Sequence, residues 1–372
     1  MPLDRSVSKL SISTIEIAER RDGISSALPM NSAGHKRGLK GPGAATRAQR
    51  GFVVARRSKI SRLTREQLRK TVKAASVRAF LALDRVGLHV LPKHYYSSVP
   101  DMAWLRKHRN AWQKPASLVG VGWNLDEQLE WLRKICRPYY AEVQGLGLYR
   151  SILASGVGLG YGPIESQVLH CFIRSAGPRT IIEIGGGVTT ALMAEASKMN
   201  ARDGGRSGRL VSVEPFPNSA LRALPDVTHI EQTGQEVSAS VFDQLEAGDL
   251  LFIDSTHVVK AGSDVLRIYL EIIPRLKPGV FIHIHDIYLP YLYPRDLLNN
   301  FFDWQESSLV LALLTNNPRL SVLCCESALH YERATELKQI LSDYQPEPND
   351  NGLSPNGRRT GDFPSSLWLK TV

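Results

Sequence analysis

The chain has 372 residues, 43% hydrophobic and 22% charged, proportions that leave room for one large core or two modest ones. No stretch reaches the roughly 18 uncharged apolar residues that a membrane-crossing helix requires, which sets aside membrane insertion. The formal charge of +10 is unevenly placed: residues 1–75 hold 17 Lys and Arg against 5 Asp and Glu, leaving 29 against 31 for the rest, so a body built to track nucleic acid is not expected.

Residues 1–58 are rich in Ser, Gly, Ala and Arg without a sustained apolar period, which predicts a disordered basic tail. Residues 59–157 read as a helical and loop extension covering part of an acceptor site. Over 61–88, Leu63, Leu68, Val72, Val77, Phe80 and Leu81 recur at helical spacing. The Pro-bounded segment 91–101 is dense in hydrogen-bonding aromatics, and His94, Tyr95 and Tyr96 are candidates to roof an acceptor pocket. An amphipathic helix is expected over 124–136, capped by Asn124 or Asp126, with Leu129, Leu132 and Ile135 on one face. Pro163 starts a helix that Gly177 and Pro178 stop.

From residue 158 to 372, strand-like and helix-like runs alternate, which implies a parallel, doubly wound sheet with ligands over the carboxyl ends of its strands. Strands are expected over 180–184, 210–214, 227–232, 250–254 and 279–286, with a crossover helix over 261–276. Further helix is expected over 304–314, strands over 320–325 and 365–370, and a mobile Pro-, Asn- and Gly-rich loop over 346–362. The four cysteines, Cys136, Cys171, Cys324 and Cys325, show no C-x-x-C spacing and read as buried reduced thiols of a cytoplasmic protein.

The stretch from Thr180 to Thr190 reads as strand, tight turn and helix start, a backbone arrangement that cradles a nucleotide-like ligand. A dinucleotide fingerprint needs a third glycine where Thr190 stands. Glu183 ends the strand two residues before Gly185; its carboxylate would repel a pyrophosphate and suits a cationic or hydroxyl-bearing ligand. The run Ile181-Ile182-Glu183-Ile184-Gly185-Gly186-Gly187 resembles the first motif of the class I S-adenosylmethionine (SAM) dependent methyltransferases. The segment around 94–101 resembles one found upstream of that motif in a mostly uncharacterised bacterial branch of the family. The resemblance covers about residues 90–371 and is strongest over 160–290. It implies a Rossmann-like α/β fold: a doubly wound seven-stranded sheet, mostly parallel with one antiparallel C-terminal strand, preceded by a helical N-terminal extension. SAM contacts are then expected from Glu183, Gly185, Gly186, Gly187, Thr189, Asp254 and Tyr161, and from Glu214, whose place at the tip of the second strand suits the ribose hydroxyls.

Asp254-Ser255-Thr256-His257 and His285-Asp286 put acids at the ends of two neighbouring strands with imidazoles beside them. This arrangement is similar to catechol O-methyltransferase and its relatives, in which such acids bind magnesium and a base lies three residues beyond the first. His257 stands there in place of lysine, and Ile287 stands where those enzymes have an asparagine ligand. Asp254, Asp286 and His285 are therefore the candidate metal ligands, a set that suits manganese, iron or zinc better than magnesium. His257 is the first candidate for general base and His285 the second, with Asp254 as a catalytic partner; His283 reads as a core histidine.

The expected activity is O-methylation of a small hydroxylated acceptor, a sugar or secondary metabolite, by a cytoplasmic protein for which a homodimer is one expected assembly. Two other readings share these residues: a metal-dependent oxygenase or hydroxylase on the same scaffold, and a nucleic-acid-modifying methyltransferase using the basic arm.

Overall fold

The computed structural model describes residues 64, 66–91, 93, 95–158, 160–300, 302–355 and 360–372. The tail expected over 1–58 lies outside them, as do Leu63 and His94. The described residues fall into two units that divide between residues 91 and 92. In the first, residues 66–84 are helical, as their apolar spacing predicts. No described helix is long and apolar enough to cross a membrane.

The second unit is built on one sheet. Its strands are β1 (Thr180–Ile184), β2 (Arg209–Val213), β3 (Val227–Ile230), β4 (Leu250–Ile253), β5 (Phe281–Ile284), β6 (Leu320–Cys325) and β7 (Leu367–Thr371). They lie in the order β3-β2-β1-β4-β5-β7-β6. The first five are mutually parallel, and β7 inserts antiparallel between β5 and β6. This is the expected doubly wound seven-stranded sheet.

All four β4 residues are buried because both faces of the strand are covered, and successive side chains go to opposite cores. Ile181, Leu250 and Phe252 pack with Leu169, Phe172 and Leu192 from the helices Pro163–Ala176 and Val188–Arg202. Ile182, Leu251 and Ile253 pack on the other side with Val265, Ile268 and Leu314. The helix Leu125–Cys136 is capped by Asn124, whose Oδ1 accepts from the amides of Asp126 and Glu127. All four cysteines are buried and unpaired.

The structure departs from expectation where chain ends bend. The crossover over 261–276 is not one helix: Asp264–Arg267 is α-helical, Ile268–Ile272 forms a π turn, and Ile273–Arg275 is a 3-10 turn. Pro274 lacks the amide for the i−4 bond and its ring crowds the Leu270 carbonyl, which accounts for the widening. β5 stops at Ile284 rather than 286, and Asp286 turns left-handed at φ +55°. The loop over 346–362 carries isolated bridges between Pro346 and Asp362 and between Asp350 and Leu353.

Candidate active site

The turn between β1 and the helix Val188–Arg202 is shaped by what cannot fit there. Gly185 has φ +86°, and a Cβ on it would lie 2.1 Å from the backbone oxygen of Asp254. A Cβ on Gly186 would lie 2.5 Å from Ser212 Oγ. Only glycine lets β1 and β4 close at this point. The result is a pocket of about 190 Å3 lined by Gly160, Tyr161, Gly185 to Thr189, Glu214 and Asp254. Glu214 is anchored through Oε1 by the Phe216 amide at 2.8 Å, and its Oε2 accepts weakly from the Gly186 amide at 3.3 Å.

Glu183 takes a different place from the one expected. It is fully buried and absent from the pocket wall; its oxygens accept the hydroxyls of Thr189 and Thr190, each at 2.5 Å. Burial pushes its carboxyl up to about 7 against the pull of those hydroxyls. Thr190 Oγ1 in turn accepts the Gly187 amide at 2.9 Å. Glu183 therefore holds the turn in shape from behind. Tyr161 lines the pocket, but its hydroxyl points into the core, 3.2 Å from His283 Nε2. His283 is the expected core histidine, fully buried and stacked on Phe252 at 4.2 Å.

Beyond Asp254 the site becomes a cluster of charges. His257, left-handed at φ +61° and buried, turns Nδ1 to Glu306 Oε2 at 2.7 Å. Its Nε2 stands between two acids, 3.4 Å from Asp254 Oδ1 and 3.8 Å from Asp286 Oδ2. Burial disfavours the imidazolium, but Asp254, Glu306 and Asp286 together outweigh it and raise His257 to about 10. At rest the ring is therefore a cation. Asp286 also accepts the hydroxyls of Tyr288 and Ser365, and despite burial the His285 and His257 cations hold it below the usual carboxylate range.

The two acids do converge on one space. The space between them holds His257 Nε2. His285 Nε2 faces the Gly160 carbonyl at 3.2 Å, and Nδ1 lies 3.2 Å from Glu165 Oε1 at an ion-pair distance without hydrogen-bond alignment. Burial opposes charge on this ring as well, but Asp286, Glu165 and Asp254 raise it well above the ordinary value. Among the described residues no group of three or more His, Cys, Asp or Glu converges as a metal site. His285 Nε2 also lies 3.8 Å from Asp286 Oδ1. Tyr95 and Tyr96 are 95% and 86% exposed, and neither lines the glycine-turn pocket.

Residues 182–287, which span β1 to the turn after β5, match a family model described as a methyltransferase domain. Over those residues the chain carries a methyltransferase-like domain. Solved structures similar to this chain include the O-methyltransferase from Bacillus cereus in complex with SAH, at 18% identity over 52% of this chain and 90% of that one, TM-score 0.32. Another is the O-methyltransferase TomG from Streptomyces achromogenes, involved in tomaymycin synthesis and solved with SAM, at 15% identity over 54% of this chain and 82% of that one, TM-score 0.32. Likeness at that level carries no weight on the acceptor. No curated protein matches the chain.

Sequence reasoning about this site passed over Glu306. It opens the helix Glu306–Leu314, and its carboxylate accepts Ser255 Oγ at 2.9 Å and Tyr269 OH at 2.7 Å besides His257. Its neighbours clamp the same loop: Trp304 packs on the His257 ring at 4.5 Å, and the Gln305 amide donates to the His257 carbonyl at 3.1 Å. The available signal was the compact Trp304-Gln305-Glu306 triplet, an aromatic, an amide and an acid together at a helix entry.

Proposed function

We propose that this chain transfers the methyl group of SAM to a hydroxyl of a small acceptor, a sugar or secondary metabolite, with His257 receiving the proton. The observation that carries the reading is the continuity of the two halves. Asp254 lines the glycine-turn pocket on one side and faces His257 Nε2 on the other, so a sulfonium placed over the turn presents its methyl group toward the imidazole. Glu214 is available to the ribose hydroxyls. Asp254, Asp286, Glu165 and Glu306 surround the two imidazoles of His257 and His285, a setting that favours a bound cation.

In the transfer, the acceptor oxygen forms a bond to the methyl carbon as the carbon–sulfur bond breaks, and S-adenosylhomocysteine leaves. The hydroxyl proton goes to Nε2 of neutral His257, while Glu306 holds Nδ1 and fixes the ring. The resting imidazole is protonated, and Asp254 is the foremost group keeping it so. A sulfonium beside Asp254 offsets that carboxylate and brings the imidazole closer to neutrality, so cofactor binding readies the base.

Calorimetric titration of the whole chain with SAM tests the cofactor half. Saturable binding is expected, weakened about tenfold or more in Glu214→Ala, as loss of a charge-assisted hydrogen bond predicts. Absence of binding, or undiminished binding by that variant, would sink the assignment. Incubating SAM-loaded protein with a cell extract and following methylated products by mass tests the other half. His257→Asn should keep SAM binding and lose methyl transfer; product formation at the unaltered rate removes His257 from the reaction.

A further inference from the structure

We propose that the chain carries a second ligand site, a phosphate-binding pocket formed by Arg106, Arg109 and Arg295. The cavity has a volume of about 390 Å3, and none of its lining residues belongs to the glycine-turn pocket. The inference is independent of the methyl-transfer reading.

Arg295 is the buried member, 5% exposed. Its Nη1 donates to Glu347 Oε2 at 2.6 Å and its Nη2 to the Pro348 carbonyl at 2.9 Å, while the Phe363 ring lies 4.3 Å from the centre of the guanidinium. The Nε–H has no acceptor among the described residues. Arg106, in the last turn of the helix Met102–Lys107, gives Nη2 to the Leu298 carbonyl at 2.6 Å, a neutral acceptor. Among the described residues no carboxylate pairs with it. Arg109 Nη1 meets Asp350 Oδ2 at 2.7 Å, with both side chains near half exposure.

Three guanidiniums thus stand against two carboxylates, Glu347 and Asp350. Planar N–H forks match the oxygens of phosphate, and a dianion offsets clustered positive charge better than a single carboxylate does. The volume exceeds that of a bare ion and admits the phosphate ester of a small organic group. Asp350, the more exposed acid, is the internal competitor: an incoming phosphate takes its place at Arg109.

The test is titration of the whole chain with inorganic phosphate at constant ionic strength, with acetate and chloride as controls. Phosphate is expected to bind saturably and the controls not at all. Arg106→Gln should weaken phosphate about tenfold, the scale of one charged hydrogen bond. Asp350→Asn, by removing the competitor, should tighten it severalfold. A merely structural cluster would show neither response, and if Arg295→Lys folds poorly these two variants still decide. Acetate binding as well as phosphate overturns the dianion assignment, and unchanged phosphate affinity in both Arg106→Gln and Asp350→Asn overturns the site.

Discussion

The glycine turn takes its pocket wall largely from consecutive residues, Gly185 to Thr189, whereas the charge cluster assembles His257, Asp286, Glu306 and Ser365 from four distant segments. The first is held by sterics, with backbones so close that a single Cβ will not fit. The second is held by electrostatics, with a buried imidazolium whose charge is matched by acids on other elements. Substitutions in the turn should therefore act on folding and cofactor together. Substitutions in the cluster should act on charge and pH dependence and leave the turn intact.

The largest effect should come from Gly185→Ala, which puts a Cβ against the Asp254 carbonyl at a left-handed backbone position. A loss of at least about 3 kcal/mol in urea unfolding is expected. A loss below about 1 kcal/mol would show that the turn opens readily and would dissolve the contrast with the cluster. Glu306→Gln comes next. It leaves the buried His257 cation short of its closest acid and should cost about 3 kcal/mol, with SAM affinity in calorimetry near that of the wild type. A tenfold fall in SAM affinity would mean that the two regions are one mechanical unit.

A smaller effect separates charge from packing. The folded value of His257 is raised to about 10, above the ordinary unfolded value near 6.5, so its contribution is fully present below about pH 6.5 and is lost as pH rises toward 10. Unfolding free energy should fall by on the order of 3 kcal/mol between pH 7 and pH 10, and His257→Asn should flatten that slope. An unchanged slope would assign the pH dependence to other groups. The smallest effect is expected of Tyr95→Ala: a ring 95% exposed should change stability by less than about 0.5 kcal/mol, and a larger loss would mean that the aromatic segment packs on the body.

Legibility followed the same division. The run from Thr180 to Thr190 carries strand, turn and helix start in adjacent residues, so the chemistry of the turn could be read without knowing the fold. Glu183 was found but misplaced, because a sequence shows that an acid ends a strand and not which way its carboxylate turns; the hydroxyls of Thr189 and Thr190, six and seven residues on, claim it. Asp254 and Asp286 were placed at neighbouring strand ends by the alternation of strands and helices, and the parallel pairing of β4 with β5 brings them together. What fills the space between them was not legible. Glu306 lies 49 residues from His257, and nothing in local pattern links the two.

The sequence by itself determined the sheet and its ligand turn, because periodic burial and glycine sterics act over a few residues and leave their mark in order along the chain. Only the tertiary structure decided the state of the site: His257 a cation among acids, His285 occupied by Glu165 and Gly160, and three arginines around one cavity. The reason is physical. A side chain's charge and free valence depend on every group within a few ångströms, and in this fold those groups arrive from segments tens to hundreds of residues apart.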